Sequence, residues 1–392
     1  MDHTTVGIIG GGPAGLLLAR LLHNSGIDCV VLESRDRAYV EQRQRAGILE
    51  QSTVDVLRGS GAAERLDREG LVHDGIELRW NRRAQRIDFP ALTGGRRVWV
   101  YAQTEVVKDL IALQTAGGAP LLFEARVTAV AGADTDRPVV HYTHQGQDKT
   151  LSCDYVVGCD GFHGVTRKAI PDGACRTFER VYPYSWFGIL ADVPPSCDEL
   201  IYAHSPRGFA LHSMRSTTVS RLYLQVANGT DPADWPDERI WDELDARFAL
   251  DGGWRLERGP ITSKAVLPMR SSVTEPMRWG RVFLAGDAAH IVPPTGAKGL
   301  NLAVSDVVVL ARAFARLQDT GSAELLDAYS DTCLRRVWRA EHFSYFMTTT
   351  LHTDPGQSDF ETRLQISQLD RIAASPHAAA ELAGNYAGLT IE

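Results

Sequence analysis

The sequence predicts an α/β fold: a doubly wound domain with an inserted antiparallel sheet, α+β in character, and a helical C-terminal region. Three observations predict it. An apolar run, Val6-Gly7-Ile8-Ile9, enters the spacing Gly10-x-Gly12-x-x-Gly15 and continues into an apolar helical stretch, Gly12 to Asn24. Two later apolar runs, Tyr155-Val156-Val157-Gly158-Cys159-Asp160-Gly161 and Arg281-Val282-Phe283-Leu284-Ala285-Gly286-Asp287, each end in a Gly/Asp turn. Between Arg180 and Arg270 the texture changes to alternating strands.

The first run carries a definite chemistry. Glycines at 10, 12 and 15 let the backbone turn tightly and approach a pyrophosphate, and the helix that follows offers unpaired N–H groups and the positive end of its dipole. Glu33 closes the next run, Cys29-Val30-Val31-Leu32-Glu33, where a carboxylate accepts hydrogen bonds from an adenosine ribose. Such glycine loops also serve as plain turns, but here strand, glycines, helix and acid fall in order.

The two Gly/Asp turns read as buried strands ending at the carboxyl edge of a parallel sheet, where ligands bind. Asp287 is placed for a ribityl chain, because Pro293-Pro294-Thr295-Gly296-Ala297-Lys298-Gly299-Leu300-Asn301 then begins a long helix whose N–H groups face an isoalloxazine edge. The three pieces agree on one ligand, a flavin dinucleotide. Helical stretches at Glu50 to Gly59 and Gln103 to Thr115 separate the strands of the first unit.

The inserted unit shows period-two runs at Val181 to Val193, Leu200 to His204, Gly208 to Met214 and Ser220 to Val226, an antiparallel sheet with one face buried. The same period puts Leu211, Ser213 and Arg215 on one face, and Arg221, Tyr223 and Gln225 on one face of the next strand. A hairpin through 216–220 brings Ser213, Arg215, Arg221 and Tyr223 together. That outlines a carboxylate pocket, because a guanidinium fork binds a planar carboxylate bidentately. On the pattern alone, a solvated hairpin with surface arginines stands beside this reading.

Composition bounds the rest. At 392 residues, 44% hydrophobic and 23% charged, the chain exceeds one ordinary core. The divisions expected are 1–178 for the flavin unit, 179–272 for the substrate sheet, and 273–392 for the third flavin piece with the C-terminal helices. No run of about 18 apolar residues appears, so no membrane span is expected. A net charge of −8 excludes nucleic acid as the expected partner. Six cysteines without Cys-x-x-Cys pairs suit reduced thiols, hence a cytoplasmic location. No metal site is readable. The aromatic cluster Trp338, Phe343, Tyr345, Phe346 and Met347 suggests partial burial in a homodimer.

Taken together, these motifs resemble the class A flavoprotein monooxygenases over nearly the whole chain, and the match narrows to members that hydroxylate 4-hydroxybenzoate. The most specific stretches are Arg45-Ala46-Gly47-Ile48-Leu49-Glu50-Gln51, Gly70-Leu71-Val72-His73, Gly158 to Gly164, Phe178 to Pro183, Glu199 to Ala203, Pro206 to Leu211, Leu284 to Asn301, and Asn385-Tyr386-Ala387-Gly388-Leu389.

The resemblance implies FAD as cofactor, NADPH or NADH as electron donor and O2 as co-substrate, with 3,4-dihydroxybenzoate formed through a flavin C4a-hydroperoxide. It assigns the substrate carboxylate to Ser213, Arg215 and Tyr223, and the phenol to Tyr202, hydrogen-bonded to Tyr386 beside the Pro294 carbonyl. Thr295 and Asn301 belong to the same edge. His73 would exchange the relayed proton with solvent, since an unperturbed imidazole titrates near ~6.5.

For the cofactor, the resemblance adds Arg45, Gln103, Asp160, Gly299, Leu300 and Asn301 to Gly10, Gly12, Gly15, Glu33 and Asp287. Arg221 would govern movement of the flavin ring. The nicotinamide nucleotide falls to Ser34, Arg35, Tyr39, Arg43, Arg45, His163 and Arg270. Arg35 and Arg37 would favour a 2′-phosphate and Asp36 and Glu41 would repel it, so NADH against NADPH stays open. Two other functions remain: a related monooxygenase on another hydroxybenzoate, and a flavin-binding sensor without turnover.

Overall fold

The computed structural model of the chain describes residues 2–43 and 47–391. Strand Asp2–Ile9 runs parallel to Cys29–Leu32 on one side and Gln147–Gly158 on the other. Leu121–Leu122 extends this parallel array beyond the first, and Val282–Leu284 beyond the second, with Arg278–Trp279 as an antiparallel edge.

These strands are buried on both faces, which is why they read as continuous apolar runs. Alternate side chains go to opposite cores. Val6, Ile8, Val31, Val157 and Phe283 meet the helices Pro13–Asn24, Gln103–Ala116 and Gly299–Thr320. Ile9, Leu32, Val156 and Val282 meet the antiparallel arms Arg126–Ala131 and Val139–His144. Helix boundaries follow the sequence reading to within a residue or two, because each is set locally by a Gly, Pro or turn residue.

The second sheet has eight strands, in the order His290–Ile291, Ile261–Glu275, Arg176–Ala191, Ser220–Ala227, Ala210–Met214, Leu200–Ala203, Gly75–Trp80 and Arg83–Asp88. The predicted hairpin is present, with Ala210–Met214 antiparallel to Ser220–Ala227. The sheet differs from expectation in being covered on both sides. Ile201, Ala210, Leu222 and Leu224 pack on the helix Asp237–Phe248, while Tyr202, Phe209, Leu211 and Tyr223 pack on C-terminal side chains from Phe343 to Tyr386. The alternation in sequence separates an aliphatic face from an aromatic one, rather than core from solvent.

Two strands also join this sheet from the first third of the chain. Gly75–Trp80 pairs in parallel with Leu200–Ala203, so a boundary at 178 leaves two of the sheet's strands with the flavin unit. Nothing local marks that pairing, since it is made across more than a hundred residues. Of the C-terminal aromatic cluster, Phe343 and Met347 are buried and Trp338 and Tyr345 exposed. Among the described residues, no helix is long and apolar enough to cross a membrane.

Candidate active site

The glycine turn is shaped by backbone contacts. Gly10 has φ +108°, and a Cβ there would run into the Cys159 carbonyl, while a Cβ at Gly15 would run into the Gly10 carbonyl. Gly12, by contrast, faces open space. It precedes the helix Pro13–Asn24 without any side-chain cap, so the first-turn N–H groups are presented to whatever occupies that space. Glu33 is fixed at the mouth: its carboxylate accepts from the Gly11 and Arg35 N–H groups, each at 2.7 Å.

The two Gly/Asp turns flank this cradle. Asp160 Oδ2 accepts from the Thr166 N–H and hydroxyl, both at 2.9 Å, whereas its buried Oδ1 has no partner among the described residues. Burial pushes this carboxyl above the usual carboxylate range, and a ligand hydroxyl at Oδ1 would relieve it. Asp287 is exposed on the turn after Val282–Leu284. Asp306, which in the sequence only interrupts an apolar helix, holds that turn by accepting from the Gly286 N–H at 2.9 Å and meeting His290 Nε2 at 2.7 Å. Burial disfavours the His290 cation, but the adjacent Asp306 outweighs it and raises the pKa.

Open space at Gly12, free helix N–H groups and an orphaned Asp160 oxygen fit the pyrophosphate and hydroxyl groups of FAD. Gly299 and Leu300 open the helix Gly299–Thr320 beside it, and Gln103, half-buried, starts another. The Asn301 side chain is engaged within the protein: its amide accepts from the Glu50 N–H and donates to the Ile48 and Ala297 carbonyls, locking the helix start to strand Ile48–Glu50.

The nucleotide segment is largely engaged with itself. Ser34 donates to Glu33, Asp36 caps the helix Arg37–Gln42 by accepting from the Tyr39 N–H at 2.7 Å, and Arg37 pairs with Glu41. Arg35 lies over the Tyr39 ring at 5.0 Å, and Arg43 ends the helix. Arg45 lies outside the described residues. His163 and Arg270, far apart in sequence, meet at Phe162, whose ring also carries Arg167; both guanidiniums sit 4.9 Å from its centre.

On the aromatic face of the second sheet, register lines up the substrate-binding candidates. Tyr202, Leu211, Tyr223 and Gly188 are successive partners across four strands, and Ser213 pairs with Arg221 one step along. Gly188 leaves room for the Tyr223 ring, 3.2 Å from where a Cβ would stand. Ser213 and Tyr223 are buried, unlike the solvated hairpin of the alternative reading. Arg221 stacks on the Tyr223 ring at 5.1 Å and hydrogen-bonds its hydroxyl. Arg215 follows the strand and closes the turn through its N–H to Val219.

Tyr202 and Tyr386 meet with hydroxyl oxygens 2.6 Å apart, both fully buried. Burial pushes both phenols well above their ordinary range. Tyr386 comes from the helix Pro376–Ala387 and stacks on Phe89 at 5.2 Å. Thr295 accepts from the Thr348 hydroxyl at 2.9 Å, in the turn where Pro294 is exposed.

His73 departs from its expected state. The residue is 1% exposed, neither ring nitrogen has a partner among the described residues, and burial lowers its pKa to about 4. It is therefore neutral at physiological pH and sealed from bulk solvent by the surrounding packing. The sequence reading also missed the ion pair of Lys298 and Glu50 at 2.6 Å, with Lys298 donating to the Tyr386 carbonyl at 3.0 Å and Arg336 reaching Glu50. Burial lowers the Lys298 pKa against the pull of Glu50. No local signal joins residues 248 positions apart.

A dinucleotide cradle and a buried aromatic sheet face with paired tyrosines are the two parts of a flavoprotein monooxygenase. The chain belongs to the FAD binding domain family, which matches residues 3–344. It is 47% identical to the p-hydroxybenzoate hydroxylase of Acinetobacter baylyi over 389 residues, 99% of this chain and 96% of that one. It is 29% identical to the 3-amino-4-hydroxybenzoate 2-monooxygenase of Streptomyces cremeus, covering 78% of this chain and 77% of that one. Its fold is shared with p-nitrophenol 4-monooxygenase from Pseudomonas putida, with a TM-score of 0.83 at 20% identity over 98% of this chain and 97% of that one.

Proposed function

We propose that the chain is an FAD-dependent hydroxylase that converts 4-hydroxybenzoate to 3,4-dihydroxybenzoate. The balance is substrate, NAD(P)H, H+ and O2 giving product, NAD(P)+ and water. The observation that carries it is the Tyr202–Tyr386 hydroxyl pair on the same sheet face as Ser213, Arg221 and Tyr223. One end of that face suits a carboxylate and the other a phenol, which is the polarity of a para-hydroxy acid.

Ser213, Arg215 and Tyr223 hold the carboxylate, and Arg221 sets the Tyr223 hydroxyl. Tyr202 accepts the phenolic proton as Tyr386 takes up its own, with the Pro294 carbonyl beside the substrate oxygen. Because burial keeps both tyrosines protonated, the proton passes by exchange along hydrogen bonds and no tyrosinate persists. His73, neutral and without a hydrogen bond to Tyr386 among the described residues, would take up the relayed proton only through a bridging water. Loss of the phenolic proton enriches the ring carbon ortho to it, which is where the new oxygen is placed. Bound FAD supplies hydride acceptance and O2 activation; the closed aromatic face excludes water from that chemistry.

Arg35, Tyr39, Arg43, Arg45, His163 and Arg270 serve the nicotinamide nucleotide, either NADH or NADPH. The enzyme works in the cytoplasm as a homodimer, its partner meeting the exposed C-terminal aromatics. Assays crossing 4-, 3- and 2-hydroxybenzoate with NADH and NADPH, with peroxide measured, test the proposal. Stoichiometric 3,4-dihydroxybenzoate from the 4-isomer is expected. Product from another isomer alone would assign a neighbouring activity, and no product from any would leave a flavin-binding sensor.

A further inference from the structure

His352 ends the helix Tyr329–Leu351 and lies buried behind the carboxylate end of the site. Its Nδ1 is 2.9 Å from the Thr348 carbonyl, which can only accept, so Nδ1 carries the proton. Its Nε2 is 2.6 Å from Trp186 Nε1, an indole N–H that can only donate, so Nε2 presents its lone pair. The tautomer is thus set from both sides. Burial lowers the His352 pKa to about 3, so the ring is neutral at physiological pH.

Trp186 lies between Phe209, parallel to it at 5.4 Å, and Tyr223, tilted against it at 4.7 Å. Phe209 in turn stacks on His352 at 4.2 Å. An indole turned over about its Cβ–Cγ bond would still stack on Phe209, but its N–H would be buried without a partner. His352 is the acceptor that selects one orientation, and that orientation fixes the surface against which Tyr223 rests. Thr348, whose carbonyl orients His352, also donates its hydroxyl to Thr295 at 2.9 Å. One helical turn therefore touches both the carboxylate end and the Pro294–Gly296 turn.

We propose that His352 is a positioning residue for substrate, holding Trp186 so that Tyr223 is aimed at the substrate carboxylate. The inference deepens the substrate reading above and rests on it. His352 touches neither substrate nor cofactor; it acts through one hydrogen bond and one aromatic contact.

The test is a titration of the holoenzyme with 4-hydroxybenzoate, followed by flavin fluorescence, together with kcat and KM. His352→Leu should weaken binding on the order of 10-fold, as expected when a buried donor loses its partner, with kcat at saturation held within about 3-fold. His352→Gln, which returns an acceptor near the Nε2 position, should bind within about 2-fold of the native enzyme. In a Trp186→Phe background, where no donor remains, neither change should add more than about 2-fold. Native affinity in His352→Leu overturns the inference, and so does an equal loss with and without Trp186, which would mark a merely structural role. If His352→Leu does not fold, the Gln variant with and without Trp186 decides: a loss above 2-fold that persists in the Phe background overturns the proposal, and near-native binding in both supports it. Tyr223→Phe separates the two readings. Unchanged affinity there removes Tyr223 from the carboxylate site altogether, whereas weakened affinity there beside native affinity in His352→Leu overturns only the inference about His352.

Discussion

The glycine cradle and the aromatic sheet face are built to hold a ligand by different means. Around Gly10, Gly12 and Gly15 the groups offered to a cofactor would be main-chain N–H donors at a helix start, and the side chains that matter are the ones that are missing. On the sheet face the contacts would be made by hydroxyls and guanidiniums, with Tyr202 held by Tyr386 and Tyr223 by Arg221. A backbone site tolerates most substitutions nearby and fails abruptly when a Cβ intrudes. A side-chain site fails by degrees, one function at a time.

Four experiments sharpen or break that contrast. The largest effect is expected from Gly10→Val, which forces a branched side chain into the Cys159 carbonyl at φ +108°. The protein should purify colourless, with its flavin-to-protein absorbance ratio near zero; full flavin content would show that the cradle is not held by close backbone approach. Next, Tyr202→Phe should keep flavin reduction within a few fold while hydroxylated product per NAD(P)H falls on the order of 100-fold, the remainder appearing as peroxide. Efficient hydroxylation by that variant would remove the proton relay.

A smaller change is expected from Arg215→Lys, which should weaken 4-hydroxybenzoate binding by about 1.5–3 kcal/mol in a fluorescence titration without loss of flavin. Unchanged affinity would take Arg215 out of the carboxylate site.

The smallest effect is on stability and runs with pH. His73 titrates at about 4 when folded and near ~6.5 when unfolded. Between those values the unfolded chain binds the extra proton, so the contribution is complete above about pH 6.5 and is lost as pH falls toward 4. The drop in unfolding free energy from pH 7 to pH 5 should be smaller in His73→Asn by up to about 2 kcal/mol. An unaltered pH dependence would mean that His73 keeps the ordinary imidazole pKa from which its exchange with solvent was expected.

The same contrast explains what was legible beforehand. Glycine spacing, Gly/Asp turns and helix starts are local, so Gly10 to Glu33 and Asp287 to Leu300 could be read directly. Hairpin period placed Ser213 opposite Arg221 because only five residues separate the flanking strands. Tyr202 and Tyr386 came from family resemblance alone, since a contact across 184 positions leaves no local trace. Asp306 and the Lys298–Glu50 pair were passed over for that reason, and the ordinary pKa given to His73 failed because burial cannot be read from one residue's neighbours in sequence.

Strands Arg176–Ala191 and Ile261–Glu275 pair along most of their length and pass from one hydrophobic core into the next, with Val273 among the flavin-side residues and Phe187 and Val266 beside the helix Asp237–Phe248. A clamshell motion would have to tear that ladder. Traffic in and out of the buried face therefore depends on small local parts, and dyes attached to the two halves should report one fixed separation throughout turnover.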